Sequence, residues 1–510
     1  VSVLTRLDDW VNPIAVKELR QAVRGKFVMV ALLLSLLAQL IAVAVIAVFS
    51  SLDGSAGTSA NAAGPGAFTA IFTVLFTACI FLIPAYSGFR MAAERADTNV
   101  DLFYITTIRP RTIVIGKVIG VIGLVVLLFS ASLPFLVFSY VLRGVDFVSI
   151  LVLLAIALVL VVSQSIVALF IGALPTSKPF KIFLALGFFL LTFATYAPML
   201  GMTSQLLQMG MGVLITNSRF WATFASFAAS TIAIDAVLMV LTTAVVTPPA
   251  ANRALPIRIM LTCAWLLSYV AAASVAYVTR SKVLLDVWVV AQIALISIVL
   301  LSATSERESW GPRVARTIPK SPLLRAIGFL FYSGAAGGTI WAILMYVATL
   351  LAYGATATSA PTWMRRTTSM TQLLIDALLA MIGYAMTAVL LRRTLLRRVP
   401  ASRTWGIVLA LFILLTVLPP IAAFARDADS DNYAQWVHVT TMFNPFPTAR
   451  TQSLRDARTV TLGIWAGLML MANAPWFVQQ ARGFRRVERR KLDDEPPREA
   501  LPALQELTTE

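Results

Sequence analysis

Apolar runs about as long as a bilayer is thick recur along this chain, and they constrain its fold more than any other feature. A hydrocarbon core needs roughly 20 consecutive apolar residues per helix. Inside it the backbone must satisfy its own hydrogen bonds, which favours helices. Twelve runs meet that length, at about 27–50, 67–88, 114–139, 148–173, 183–201, 220–245, 259–279, 285–302, 327–353, 373–391, 404–425 and 459–479. The pattern predicts an all-α, polytopic membrane helix bundle of about 12 transmembrane helices. Composition agrees: 59% of residues are hydrophobic and 13% charged, against about 25% charged in soluble domains.

Charge placement orients the bundle. With a cytoplasmic N-terminus, twelve spans return the C-terminus to the cytoplasm, and 31 of the 41 Lys and Arg residues fall on the inside. Basic residues are retained on the cytoplasmic side during insertion, so both termini are expected there. The net charge of +17 then reflects topology and attraction to anionic membrane lipid. The basic residues are scattered over many short loops and form no single face, which argues against a nucleic-acid partner. No cleavable signal sequence is expected, because a charged stretch precedes a first apolar run long enough to span.

Residues 1–26 are expected to form an N-terminal amphipathic surface helix. Asn12 suits an N-cap and Pro13 the first helical position. Val11, Ile14, Ala15, Leu19 and Val23 recur at helical spacing, while Lys17, Arg20, Arg24 and Lys26 occupy other sectors. Such a helix lies in the membrane interface; the alternative is a basic flank that only fixes topology. Residues 27–250 then read as a six-span unit with a cytoplasmic loop at 89–113, 251–480 as a second six-span unit, and 481–510 as a charged cytoplasmic tail. Residues 202–219 are still fairly apolar and too short to cross and return, so an interfacial or re-entrant element is expected there. The loop 303–325 holds the same topological place in the second half as 89–113 in the first, and both contain Glu-Arg, at Glu94-Arg95 and Glu306-Arg307.

Several chemistries lack their residues. No GxxxxGK[ST] occurs, and Ile115-Gly116-Lys117-Val118 lacks the first glycine and the magnesium-binding hydroxyl. Cys79 and Cys263 fall inside apolar runs without zinc or disulfide spacing and read as small buried hydrophobes. His438 is the single histidine, so no metal site is expected. Asp427, Asp429 and Asp431 alternate in an external loop with no base or oriented partner, as solvated charge does. Within the spans, Asp235 lies deepest, a candidate intramembrane polar site, whereas Asp376 and Asp286 sit near span ends, where water is close. A carboxylate at a helix centre costs roughly 2.5–3.5 kcal/mol on insertion, so Asp235 is either a functional site or a structural hydrogen-bonding group.

The segment Arg90–Lys117, RMAAERADTNVDLFYITTIRPRTIVIGK, stands out between the second and third runs. It carries Glu94, Arg95, Asp97, Asp101, Arg109, Arg111 and Lys117, with an apolar cluster Leu102-Phe103-Tyr104-Ile105 and a break at Pro110. Glu-Arg, a turn, a short apolar stretch, a Thr/Pro break and a Gly-Lys entry into the third span resemble the corresponding loop of ABC-2 type transporter permeases. Asn12-Pro13 followed by Lys17-Glu18-Leu19-Arg20 resembles that family's N-terminal surface helix, and Ser132-Leu133-Pro134-Phe135 its third span. Asp97-Thr98-Asn99 stands where the family often has Gly-Thr; Asn still permits a turn.

The resemblance covers residues 10–140. It implies a coupling helix, with Glu94, Arg95, Asp101, Leu102, Phe103, Tyr104, Arg109, Pro110 and Lys117 at a contact with a soluble ATP-binding subunit that holds the ATP and magnesium. The chain would then be no enzyme and hold no cofactor, but act as an exporter's membrane subunit in a bacterial cytoplasmic (inner) membrane. It would work either as one chain with two halves or as a homodimer. Two other readings remain open: an ion-coupled carrier using Asp235, and a membrane scaffold or enzyme with a site in the external loop 426–458.

Overall fold

The computed structural model describes residues 12–52, 60–96, 109–142, 145–209, 216–248, 250–358, 368–419, 421, 443 and 452–486. Among these residues the secondary structure is helical, with no strand. Among the described residues, eleven helices are long and apolar enough to cross a membrane. The exposed faces show which solvent they need. Leu33, Leu34, Leu37, Leu40 and Ile41 are each more than half exposed along one helix, an apolar surface that water would not tolerate and hydrocarbon solvates. The chain is a polytopic, all-α membrane protein.

Helix α1 (Pro13–Arg24) precedes the first span, α2 (Lys26–Leu52). The second span joins α3 (Ala60–Thr77) to α4 (Ile83–Ala96) through a π-helical turn at Ala78–Leu82. Helices α5 (Pro110–Val141), α6 (Phe147–Ala173), α7 (Lys178–Met209), α8 (Ser218–Val246), α9 (Ala254–Thr279) and α10 (Val283–Thr304) follow. Short helices α11 (Pro312–Ala315) and α12 (Pro322–Phe331) lead to α13 (Ala335–Thr358), α14 (Thr368–Thr394), α15 (Thr404–Phe412) and α16 (Gln452–Gly483).

The chain divides into two compact units. One holds the helices up to Pro248 together with Pro256–Trp288; the other takes nearly all of the remainder. In the first, Phe68, Phe72 and Phe76 stack at four-residue spacing along α3, with centroids 5.6 and 5.8 Å apart, and Tyr196 of α7 continues the stack at 5.8 Å. Offset rings at this separation add to the apolar burial itself. Glycine and alanine set the tightest crossing. Gly88 and Ala92 on α4 meet Ala168 and Gly172 on α6, and a Cβ on Gly172 would lie 2.5 Å from the Gly88 carbonyl oxygen. Small residues four apart on both helices allow this backbone approach where lipid supplies no hydrophobic drive between helices.

Of the eleventh apolar run, 404–425, the described part is helical, α15 passing into a π-helical stretch at Ile413–Val417, and residues 420 and 422–425 lie outside the described residues. Three sequence expectations change. Residues 202–209 continue α7 as helix to Met209 instead of leaving it; no breaker follows Gly201 in this stretch, and Gly210–Ile215 lie outside the described residues. The run at 327–353 is cut at Ser333-Gly334, so α12 stands apart from α13. Gly337 makes that cut compact, since a Cβ there would lie 1.9 Å from the Phe329 carbonyl oxygen. Cys263 is exposed on α9, whereas Cys79 is buried; in a lipid-facing helix, apolar character does not distinguish core from surface.

The region 303–334 in the second unit is folded. Trp310, Val314, Ile318, Phe329 and Tyr332 pack with Phe484 at the end of α16. The Tyr332 hydroxyl donates to the Thr317 carbonyl at 2.8 Å, and the Trp310 indole N–H donates to the Ser333 carbonyl.

Candidate functional site: an ion-paired junction at the ends of segment 97–109

The N-terminal helix is built locally. The Asn12 side chain accepts from the Ile14 N–H at 3.0 Å, satisfying one of the donors a helix start leaves open. Pro13, at the first helical position, has no N–H to satisfy. The Asn12 amide also donates to the Thr112 carbonyl at 2.9 Å, so the cap that starts α1 also ties it to the first turn of α5.

Helix α1 packs along α5 through a glycine stripe. Cβ atoms placed on Gly116, Gly120 and Gly123 would lie 2.8 Å from Ile14, 3.1 Å from Glu18 and 2.5 Å from Leu19. Ala15 and Ala22 are buried, while Val16 and Val23 face outward at 38% and 58% exposure. The expected apolar face is therefore split: Ile14 and Leu19 turn toward α5, Ala15 is buried, and Val23 is exposed.

This packing places Glu18 over Lys117. Lys117 Nζ lies 2.9 Å from Glu18 Oε1 and 2.9 Å from a Glu94 carboxylate oxygen, with only 5% of the Lys117 side chain exposed. Arg90 Nε adds a second cation 3.6 Å from Glu18. The Arg90 guanidinium also donates to the Tyr86 hydroxyl at 3.0 Å and to the Gln21 side chain. Two carboxylates against two cations leave the cluster neutral, which is what lets Lys117 be buried. Arg95 reaches elsewhere and donates to the Val245 carbonyl at 2.8 Å, in the last turn of α8, where orphan carbonyls favour a cation.

Glu18, Glu94 and Lys117 are thus held together by α1, α4 and α5, while Arg95 ties α4 to the end of α8. Arg109 precedes α5 in extended backbone and Pro110 opens the helix. Asp101, Leu102, Phe103 and Tyr104 lie outside the described residues, as do His438, Asp427, Asp429 and Asp431. Lys17 and Arg20 are exposed on the side of α1 away from Ala15 and, with Arg24 and Arg90, line an open basic cleft. The sequence reading assigned Glu18 no internal partner. The signal was there in its four-residue spacing from Ile14, which puts both on one face, and in the Gly116, Gly120, Gly123 stripe.

The intramembrane carboxylates separate. Asp235 accepts from the Ser163 hydroxyl at 2.7 Å, linking α8 to α6. Asp376 is not near water as its sequence position suggests: it is fully buried. Arg458 lies 2.9 Å away and the Thr459 hydroxyl donates to it at 2.6 Å. The pairing cation comes from α16, 82 residues on, and neutralises the charge that would otherwise have kept Asp376 at the span edge. Of the two Glu-Arg pairs, Glu94 binds Lys117, whereas Glu306 accepts from the Gly334 N–H at 2.6 Å.

No protein-family model matches the chain, and no curated protein or solved structure shows significant similarity to it.

Proposed function

We propose that this chain is the membrane-spanning permease subunit of an ABC-2 type transporter, an exporter of a bacterial cytoplasmic membrane driven by a separate soluble ATPase that carries the ATP and magnesium. The observation that carries the reading is the junction of Glu18, Arg90, Glu94 and Lys117. It joins α4 and α5, the helices at either end of segment 97–109, to the N-terminal helix. A partner pushing on that segment would move three helices as one body, since buried ion pairs with close packing resist independent motion. In this arrangement Glu94 positions the segment's base, and Leu102, Phe103 and Tyr104 are the groups offered to the partner.

The test is co-purification from native membranes with mass identification of what is retained. The chain alone should hydrolyse no ATP, and an ATP-binding subunit should accompany it. The stoichiometry separates one chain per complex from a homodimer. Replacing Leu102, Phe103 and Tyr104 together by Ala should weaken the complex by roughly 2 kcal/mol or more, about thirtyfold in affinity, with membrane insertion unchanged. A complex retained at full strength by that variant, or no ATPase partner under conditions that preserve other transporter complexes, sinks the reading.

The Asp235–Ser163 pair favours a second reading, a carrier coupled to an ion gradient. Asp235→Asn keeps a side chain able to bond Ser163 and removes the charge. Transport by an ATP-driven permease should survive this change. A carrier using Asp235 should lose transport altogether, and an uncoupling ionophore should abolish it in the unmodified protein.

A further inference from the structure

The first unit contains a pocket that the junction does not use. Helices α7 and α8 both pack on α6 but hardly touch each other among the described residues, and between them opens a cavity of about 400 Å³. Its back wall is Ile156 and Met199, both buried. Phe220 and Phe224 line its side, and Ala194 and Phe227 lie at an exposed mouth. Thr195 and Thr223 bring hydroxyls to the lining. Each donates to its own helix, Thr195 to the Thr192 carbonyl and Thr223 to the Arg219 carbonyl, both at 2.8 Å.

The lining therefore offers water almost nothing. A buried water needs two to four polar partners, and apolar cavities stay dry. The pocket is open on one side, where Ala194, Thr223 and Phe227 are exposed, so it can be filled from its surroundings. The volume is in the range of ligand pockets, which are mostly apolar with a few placed polar groups. All three walls are candidate membrane spans, and the residues at the mouth, Ala194 and Phe227, are apolar. Flexible Met199 and Met202 let the wall adapt to chains of differing shape. One polar feature borders the chamber: Gln164 donates to Thr195 at 3.2 Å and receives Thr192 at 3.4 Å.

We infer that this pocket binds the alkyl chain of an amphiphile, entering sideways from the membrane between α7 and α8. The chain comes either from a bilayer phospholipid or from a separate single-chain amphiphile; the shared chemistry is a linear hydrocarbon. The assignment does not rest on an ATPase partner.

The test uses the full chain in phosphatidylcholine nanodiscs with no partner added. Two photoactivatable probes carry a diazirine near the methyl end of a sixteen-carbon chain, one as the free fatty acid and one as a phosphatidylcholine built into the disc. After irradiation, labelled peptides are mapped by mass spectrometry. Labelling should concentrate in α7 around Ala194–Met202 and in α8 around Phe220–Phe227, relative to lipid-facing α2. It should saturate with probe and be displaced by the unlabelled compound. The probe that saturates identifies the source. Ala194→Trp and Thr223→Trp, each filling the mouth from a different helix, should cut labelling roughly tenfold. Phe193→Trp, on an outward face at 55% exposure, should not. Thermal unfolding checks that the variants remain folded. Labelling that rises linearly and equally over α2, α7 and α8, or that both mouth variants leave unchanged, overturns the inference. Neither outcome bears on whether an ATPase binds at segment 97–109.

Discussion

Lys117→Met should destabilise the first unit by about 3 kcal/mol, the low end for breaking a buried ion pair, and Glu18→Gln in the same chain should restore much of the loss. Methionine fills the same volume without the charge. The substitution leaves Glu18, 12% exposed, without its closest cation. Arg90 at 3.6 Å is the remaining neighbour, and its other donors are engaged by Tyr86 and Gln21. Glu94 is 31% exposed, so water can partly solvate it, which is why the low end of the range applies. Thermal unfolding in detergent measures the stability. Limited proteolysis at Arg20 and Arg24 measures whether α1 has come away from α5. A coupling energy of order 1–3 kcal/mol between the two sites is expected for groups in direct contact. A loss in the double variant equal to the sum of the losses in Lys117→Met alone and Glu18→Gln alone would show that the two charges do not interact, and would remove the physical basis for treating α1, α4 and α5 as one body.

What the sequence makes legible here follows the range of the forces involved. Membrane spans need only length and apolar content, so most of the helices could be placed from the chain alone. The start of α1 was legible because its cap is local: Asn12 and Pro13 act on their immediate neighbours. Orientation about each helix axis was not. In lipid, the face turned to the core and the face turned outward are both apolar, so nothing marked Cys263 as exposed. Asp376 shows the same limit for charge. Its partner Arg458 lies on another helix, and sequence position alone made the span edge the natural site. The candidate junction was half legible. Glu94, Arg95 and Lys117 drew attention as charges pinned between apolar runs, but which of them pair internally depends on where α1 lies, and the glycine stripe of α5 decides that.

Gly172→Leu should be as damaging as the loss of Lys117, although it removes no interaction. A Cβ at this position would lie 2.5 Å from the Gly88 carbonyl oxygen, 3.1 Å from Met91 Cβ and 3.2 Å from the Ala92 nitrogen. Two of these three atoms are backbone, so no rotamer change relieves the clash; α4 and α6 must separate. Overpacking a well-filled contact costs typically 1–3 kcal/mol, and a backbone collision belongs at the upper end. Gly88→Ala should fall between, since its nearest contact is the Ala168 carbonyl oxygen at 3.1 Å. Gly187→Leu, on α7 with nothing within 4 Å, should leave thermal unfolding in detergent unchanged. If Gly172→Leu also unfolds at the parent temperature, the close α4–α6 crossing is not what holds the unit together. The consequence reaches beyond stability. Gly172 faces α4 between Gly88 and Ala92, one turn before Glu94 and Arg95, so a displaced α4 must stretch both the Glu94–Lys117 pair and the Arg95 bond to the end of α8. A variant that insulates segment 97–109 from the bundle without touching a charged residue tests mechanical continuity separately from electrostatics. In a complex with an ATPase, it should leave docking through Leu102, Phe103 and Tyr104 intact while uncoupling hydrolysis from transport.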